Sequence, residues 1–106
     1  MIIPIDKVEI APEKITGYLL VKKQKNDKSA FLAKLGYTME NWNDLLEDIK
    51  KLVTDNNATL QNETQFGSFY QVKGKLRDFS VVTIWLQQNQ KENFKFITLF
   101  PELSIK

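Results

Sequence analysis

An α+β fold, with N-terminal helices packed on one face of a four-stranded antiparallel meander, follows from two features of this 106-residue chain. Up to Asn57 the apolar residues recur at three- and four-residue spacing, and beyond it they alternate with polar ones in runs separated by short polar turns. Helices first and strands afterwards place the helices as one layer against a sheet of sequential hairpins. The length suits a single domain, residues 1–106, able to bury a two-layer core.

The elements can be read in order. Pro12 suits a first helical position, and "PEKITGYLL" spaces Ile15 and Leu19 four apart, predicting a short helix over about 12–21 that Gly17 weakens. In "NDKSAFLAKLGYT", Asp27 can cap a second helix carrying Phe31, Leu32 and Leu35, with Gly36 as the left-handed residue that ends it. Thr38 can cap a longer helix with Trp42, Leu45, Leu46, Ile49, Leu52 and Val53 at helical spacing, ended by "TDNNA". Strands over about 59–65, 68–74, 79–87 and 94–100 follow, divided by "FGS", "GKLRD" and "QNQKEN".

Side chains alternate across a strand, so each strand offers two rows. In "SVVTIWLQ" the aliphatic row Val82, Ile84 and Leu86 is expected to meet the helices, leaving Val81, Thr83 and Trp85 on the other side. In "FKFITLF" the aliphatic pair Ile97 and Leu99 is expected inside, with Phe94, Phe96, Thr98 and Phe100 opposite. Pairing these strands gathers Thr83, Trp85, Thr98 and Phe100 on an open face, a patch suited to a ligand or a partner.

Composition excludes much chemistry. The chain has no histidine, which removes imidazole acid–base catalysis, Ser-His-Asp and Cys-His arrangements and helical zinc motifs. It has no cysteine either, hence no disulfide or thiolate zinc site, as suits a reducing cytoplasm. Its four glycines are dispersed and form no phosphate-cradling loop. No metal or cofactor is expected. "MIIPIDKVEI" does not read as a signal peptide and no apolar run approaches the roughly 20 residues that span a bilayer, so a cytoplasmic protein without a membrane partner is expected.

The formal charge of +2 is small, but it is unevenly distributed. Five lysines stand between positions 22 and 34 against the single acid Asp27, whereas Glu40, Asp44, Glu47 and Asp48 follow without an intervening base. The acids at 40, 44 and 48 read as a solvated helix face, and Arg77 as a solvated turn residue. What remains for chemistry is lysine, arginine, tyrosine and threonine. RNA can be cleaved through its own 2′-hydroxyl by such groups, given phosphate positioning and charge stabilisation. On this reading Lys28, at the start of the second helix, with Thr98 and Thr83, carries the reaction. Trp85 and Phe100 offer stacking planes for bases, and Lys22, Lys23 and Lys25 offset phosphate.

The stretches "APEKITGYLL", "DKSAFLAKLGYTMENW", "FGSFYQVKGKL", "VVTIWL" and "KFITLFP" resemble, over nearly the whole chain, a family of small bacterial proteins classed as a domain of unknown function. Its members look like I-P-x-x-K-L-x-x-Y-L-L, D-K-x-x-F-L-x-x-x-G-Y, T-x-W and F-x-T-x-Y-P in that order. Helices followed by a four-stranded sheet are also similar to the barnase/EndoU/colicin/RelE nuclease superfamily, whose toxin domains cleave RNA on the open sheet face. Several of those domains carry threonine and tyrosine two apart on the last strand. "TLFP" resembles that pattern at Thr98, with Phe100 in place of the tyrosine, and "KKQKN" stands where some relatives carry a histidine. The resemblance implies a toxin-like, metal-independent ribonuclease or RNA-binding domain. The alternative is a non-catalytic module whose aromatic face docks a protein, either an antitoxin-like neighbour or a second copy of the chain.

Overall fold

The longest helix shows how the layers meet. In a computed structural model, which describes residues 1–21 and 28–102, helix α3 (Trp42–Asp55) buries Leu45, Ile49, Leu52 and Val53, one stripe at i, i+4, i+7 and i+8. Before it, Met39–Asn41 form a 3₁₀ turn in which Asn41 Oδ1 accepts from the Thr38 backbone N–H at 2.7 Å. The expected helix over 12–21 is α1 (Pro12–Lys14), with Pro12 at its start, running into a π-helical turn at Ile15–Leu19 that buries Ile15 and Leu19. Helix α2 (Lys28–Lys34) buries Leu32, and Gly36 behind it has φ +93°, the left-handed ending expected there. Asp27, the proposed cap, lies outside the described residues.

The sheet has five strands rather than four: β1 (Val8–Glu9), β2 (Ala58–Thr64), β3 (Gly67–Leu76), β4 (Phe79–Gln88) and β5 (Phe94–Pro101), in the order β1-β5-β4-β3-β2. β2 to β5 are the expected antiparallel meander. β1 adds a two-residue parallel edge, Val8 opposite Phe94 and Glu9 opposite Lys95, which makes the sheet mixed. Two residues are too few for an alternating pattern to announce. α3 lies close on β3 because Gly74 has no side chain: a Cβ there would stand 2.6 Å from Leu52 Cγ and 2.8 Å from Asn56 Nδ2. Among the described residues no helix is long and apolar enough to cross a membrane.

The expected faces of β4 are reversed. Val81, Thr83 and Trp85 face the helices, Thr83 and Trp85 with no exposed surface, while Val82, Ile84 and Leu86 lie on the opposite side, outside the main core cluster. Area alone does not separate the rows, since an indole with a valine buries about as much as three aliphatic side chains at about 1.5–3 kcal/mol each. The polar atoms that seemed to call for solvent satisfy one another: Trp85 Nε1 donates to Thr83 Oγ1 at 2.8 Å, and Thr83 Oγ1 donates to the Val72 carbonyl at 2.8 Å.

β5 is corrected by a bulge. Trp85 is opposite Phe96 and Ile84 is opposite Thr98, so one extra residue is inserted. Phe94, Phe96 and Leu99 are all buried, and two residues, Ile97 and Thr98, stand between the inward Phe96 and Leu99 where a regular strand has one. The Phe96 ring meets Trp85 edge-on, with centroids 5.4 Å apart, and Phe94 meets Tyr70 at 5.3 Å. The open face predicted to carry Thr83 and Trp85 is therefore the core face at β4. Phe100, opposite Val82, keeps 39% of its surface exposed.

Candidate functional site

Three polar groups from distant parts of the chain converge where the helical layer meets β5. Tyr18 belongs to the π-helical turn whose neighbours Ile15 and Leu19 are anchored in the core, so the phenol is carried by a fixed segment. Lys28 opens α2, which is held by buried Leu32 and by Phe31 packed edge-on against Phe79 at 5.1 Å. Thr98 follows the extra residue of β5, at a point where the bulge alters the direction in which a side chain leaves the strand.

The three form a closed triangle. Lys28 Nζ donates to Thr98 Oγ1 at 3.0 Å and to Tyr18 Oη at 3.2 Å, and the two hydroxyls lie 3.1 Å apart. Lys28 Nζ is 5.4 Å from the centre of the Tyr18 ring and Lys14 Nζ 5.5 Å, so two ammonium groups flank one aromatic ring. All three residues of the triangle are half-buried. None of the ion pairs among the described residues involves Lys28. An ammonium met by hydroxyl oxygens, with no carboxylate against it among the described residues, has its hydrogen bonds partly satisfied and suits an anion.

Lys28 and Thr98, expected as site residues, are thus brought together across 70 positions of sequence. Thr83 and Trp85 are not with them: both lie in the core with their polar atoms paired internally. Phe100 lies two residues beyond Thr98, and Lys22, Lys23 and Lys25 lie outside the described residues. Sequence reasoning missed Tyr18. Its signal was a phenol between the two anchoring positions of the segment "ITGYL", where a buried face and a polar tip must coexist.

A second cationic cluster lies elsewhere. Arg77 is exposed in its turn, as expected, and is also engaged there: its guanidinium carbon sits 4.3 Å from the centre of the buried Tyr37 ring, and Nη1 donates to the Leu35 carbonyl at 3.0 Å. Asp44 and Asp48, read as a solvated helix face, approach the same guanidinium at 3.8 and 3.9 Å. Tyr37 Oη donates to Asp48 Oδ2 at 2.5 Å. Burial first, and then that hydrogen bond and the Asp48 charge, push the Tyr37 hydroxyl well above the ordinary phenol range. Arg77 and Asp78 hold φ of 49° and 71°, the left-handed pair of a two-residue hairpin usually given to Asn-Gly.

A cleft of about 690 Å³ lies between α3 and the β3–β4 hairpin, with Lys51, Asp55, Lys73, Lys75 and Asp78 in its lining and none of Tyr18, Lys28 or Thr98. Its acids and bases alternate, so neither sign of charge dominates it. Among the described residues no three His, Cys, Asp or Glu side chains converge where a metal ion could be held.

The comparison with family models places the chain: residues 2–103 match a domain of unknown function, DUF6883, and the protein belongs to that family. No curated protein and no solved structure matches the chain.

Proposed function

We propose that this is a toxin-like RNA-binding or RNA-cleaving domain in which the substrate phosphate sits against Lys28. The observation that carries the reading is the half-buried ammonium of Lys28, hydrogen-bonded to the hydroxyls of Tyr18 and Thr98 and ion-paired with no carboxylate among the described residues. Attack by a 2′-hydroxyl on the adjacent phosphorus builds negative charge on the phosphoryl oxygens. A fixed cation and fixed hydroxyl donors stabilise that charge without a histidine. The similarity of the helix-then-sheet order to the barnase/EndoU/colicin/RelE domains supports the same reading at the level of fold. On this reading the site is centred where Tyr18 and Lys28 reach Thr98 of β5.

Purified protein incubated with total RNA or tRNA is expected to cleave it, or to shift a labelled single-stranded oligonucleotide at low salt, with binding that weakens steeply as salt rises. Lys28→Ala is expected to abolish both. Wild-type protein that neither cleaves nor shifts RNA removes the reading.

A second reading, a non-catalytic protein-interaction module, is favoured by one observation. The sheet side away from the core cluster carries Val82 opposite Phe100 and Leu86 opposite Phe69, an apolar row with Phe100 exposed. An association through that row is insensitive to salt and is lost in Phe100→Asp, whereas Lys28→Ala leaves it intact.

A further inference from the structure

The triangle contains one group whose acidity the phosphate-binding reading leaves unused. Lys28 supplies the charge, and Thr98, an aliphatic alcohol, is a hydrogen-bonding group rather than a proton source. Tyr18 is a phenol, a class of acid that ordinarily ionises near pH 10. Its oxygen lies 3.2 Å from the Lys28 ammonium, which can only donate, and 3.1 Å from Thr98 Oγ1. Thr98 Oγ1 accepts from Lys28 at 3.0 Å, and its own proton can go to the Tyr18 oxygen or to the Leu99 carbonyl at 3.5 Å. Once the phenol has lost its proton its oxygen can only accept, so Lys28 and Thr98 then both donate to it. Hydrogen bonds directed at an oxygen favour its anionic form, so this arrangement stabilises the phenolate that remains after the phenol has given up its proton.

Resting on the RNA-cleaving reading, we propose that Tyr18 is the general acid of the reaction, protonating the leaving 5′-oxygen. The 2′-oxygen forms a bond to phosphorus and its proton passes to solvent, while the bond between phosphorus and the 5′-oxygen breaks. The departing oxygen takes the Tyr18 proton, giving a 2′,3′-cyclic phosphate and a free 5′-hydroxyl. The phenolate, held beside the Lys28 ammonium, recovers a proton from water. Charge and protons balance, and no metal, oxidant or further co-reactant is required. Lys28 thereby acts twice, on the phosphoryl oxygens and on the phenolate. Thr98 is a positioning residue that acts through Tyr18.

The test compares two substrates that differ in one atom: an oligonucleotide with a single ribonucleotide linkage, and the same molecule with sulfur in place of the bridging 5′-oxygen. A thiolate departs without protonation, because thiols ionise near pH 8.5. Tyr18→Phe is expected to slow cleavage of the oxygen substrate by about 10²-fold or more and to cleave the sulfur substrate at close to the wild-type rate. Lys28→Ala is expected to slow both. Thr98→Val, which keeps the shape of the side chain and removes a donor to the phenolate, is expected to show a smaller loss with the same dependence on the leaving atom. Equal losses on both substrates for Tyr18→Phe and Thr98→Val overturn the assignment while leaving the RNA-cleaving reading in place. Wild-type protein that cleaves neither substrate overturns that reading and the assignment with it.

Discussion

Two tyrosines in this protein each sit under a cation, and the two sites are built in opposite ways. At Tyr37 the guanidinium of Arg77 covers a fully buried ring, binds the Leu35 carbonyl and is approached by Asp44 and Asp48, so its charge is answered from three directions. At Tyr18 the ammonium of Lys28 meets, among the described residues, only hydroxyl oxygens, and a second ammonium, Lys14, lies on the same ring. A matched charge ties elements together and has nothing left to offer a ligand. An unmatched one contributes little to folding and is available to an anion. The first cluster fastens the β3–β4 hairpin to the end of α2 and to α3, and the second is where chemistry is expected.

The comparison can be broken most forcefully by exchanging the roles. Lys28→Ala is expected to lower RNA cleavage by at least about 10²-fold while changing the unfolding free energy by no more than about 1 kcal/mol, read by activity and by urea unfolding of the same sample. If Lys28→Ala unfolds the protein, the Tyr18 site is a structural latch like its counterpart. Gly36→Ala should show the reverse pattern. At φ +93° a side chain is strained, and its Cβ would stand 2.5 Å from Arg77 Nη1, displacing the guanidinium from the Leu35 carbonyl. A loss of about 1–3 kcal/mol in urea unfolding is expected, with RNA cleavage by the folded fraction unchanged.

Arg77→Ala isolates the cation itself. The expected cost is about 1–2 kcal/mol, most of it from the stacked ring and the carbonyl hydrogen bond, because the guanidinium is partly exposed and its carboxylate neighbours lie at the limit of an ion pair. The smallest effect is a pH dependence. Because Tyr37 is held above its ordinary value in the folded state, the folded protein retains a proton that the unfolded chain releases above about pH 10. The stability due to this group is complete below pH 10 and is lost as pH rises toward the folded value. Thermal unfolding from pH 9 to 11 should therefore fall more steeply for wild type than for Tyr37→Phe. Parallel curves would mean that Tyr37 ionises as freely in the folded protein as in the unfolded chain.

Parts of the site were legible in the sequence and parts were not. Lys28 and Thr98 could be picked out because the chain lacks histidine, which narrows any phosphate chemistry to cations and hydroxyls. Tyr18 escaped notice because it looks like one more apolar residue of a short helix, and its partner Thr98 is 80 positions away. Thr83 and Trp85 were placed on the open face because a threonine and an indole seemed better suited to solvent than three aliphatic residues. That choice could not be made locally: every row of β4 is apolar enough to be buried, and the hydrogen bond between Trp85 and Thr83 that makes their burial inexpensive exists only once the strand is formed.

The sequence by itself determined the order of helices and strands, the turns between them and the burial stripe of α3. These rest on interactions between neighbours in the chain: helical periodicity, caps, and residues that tolerate a turn. The side of each strand that faces the helices, the parallel edge strand β1, and the bulge that brings Thr98 to Tyr18 and Lys28 were decided only in the tertiary structure. Alternation tells which residues share a row but carries no sign, so the rows are assigned by how each packs and pairs against the other elements, as Trp85 does with Phe96 and Thr83. One inserted residue in β5 is enough to change which hydroxyl meets which cation.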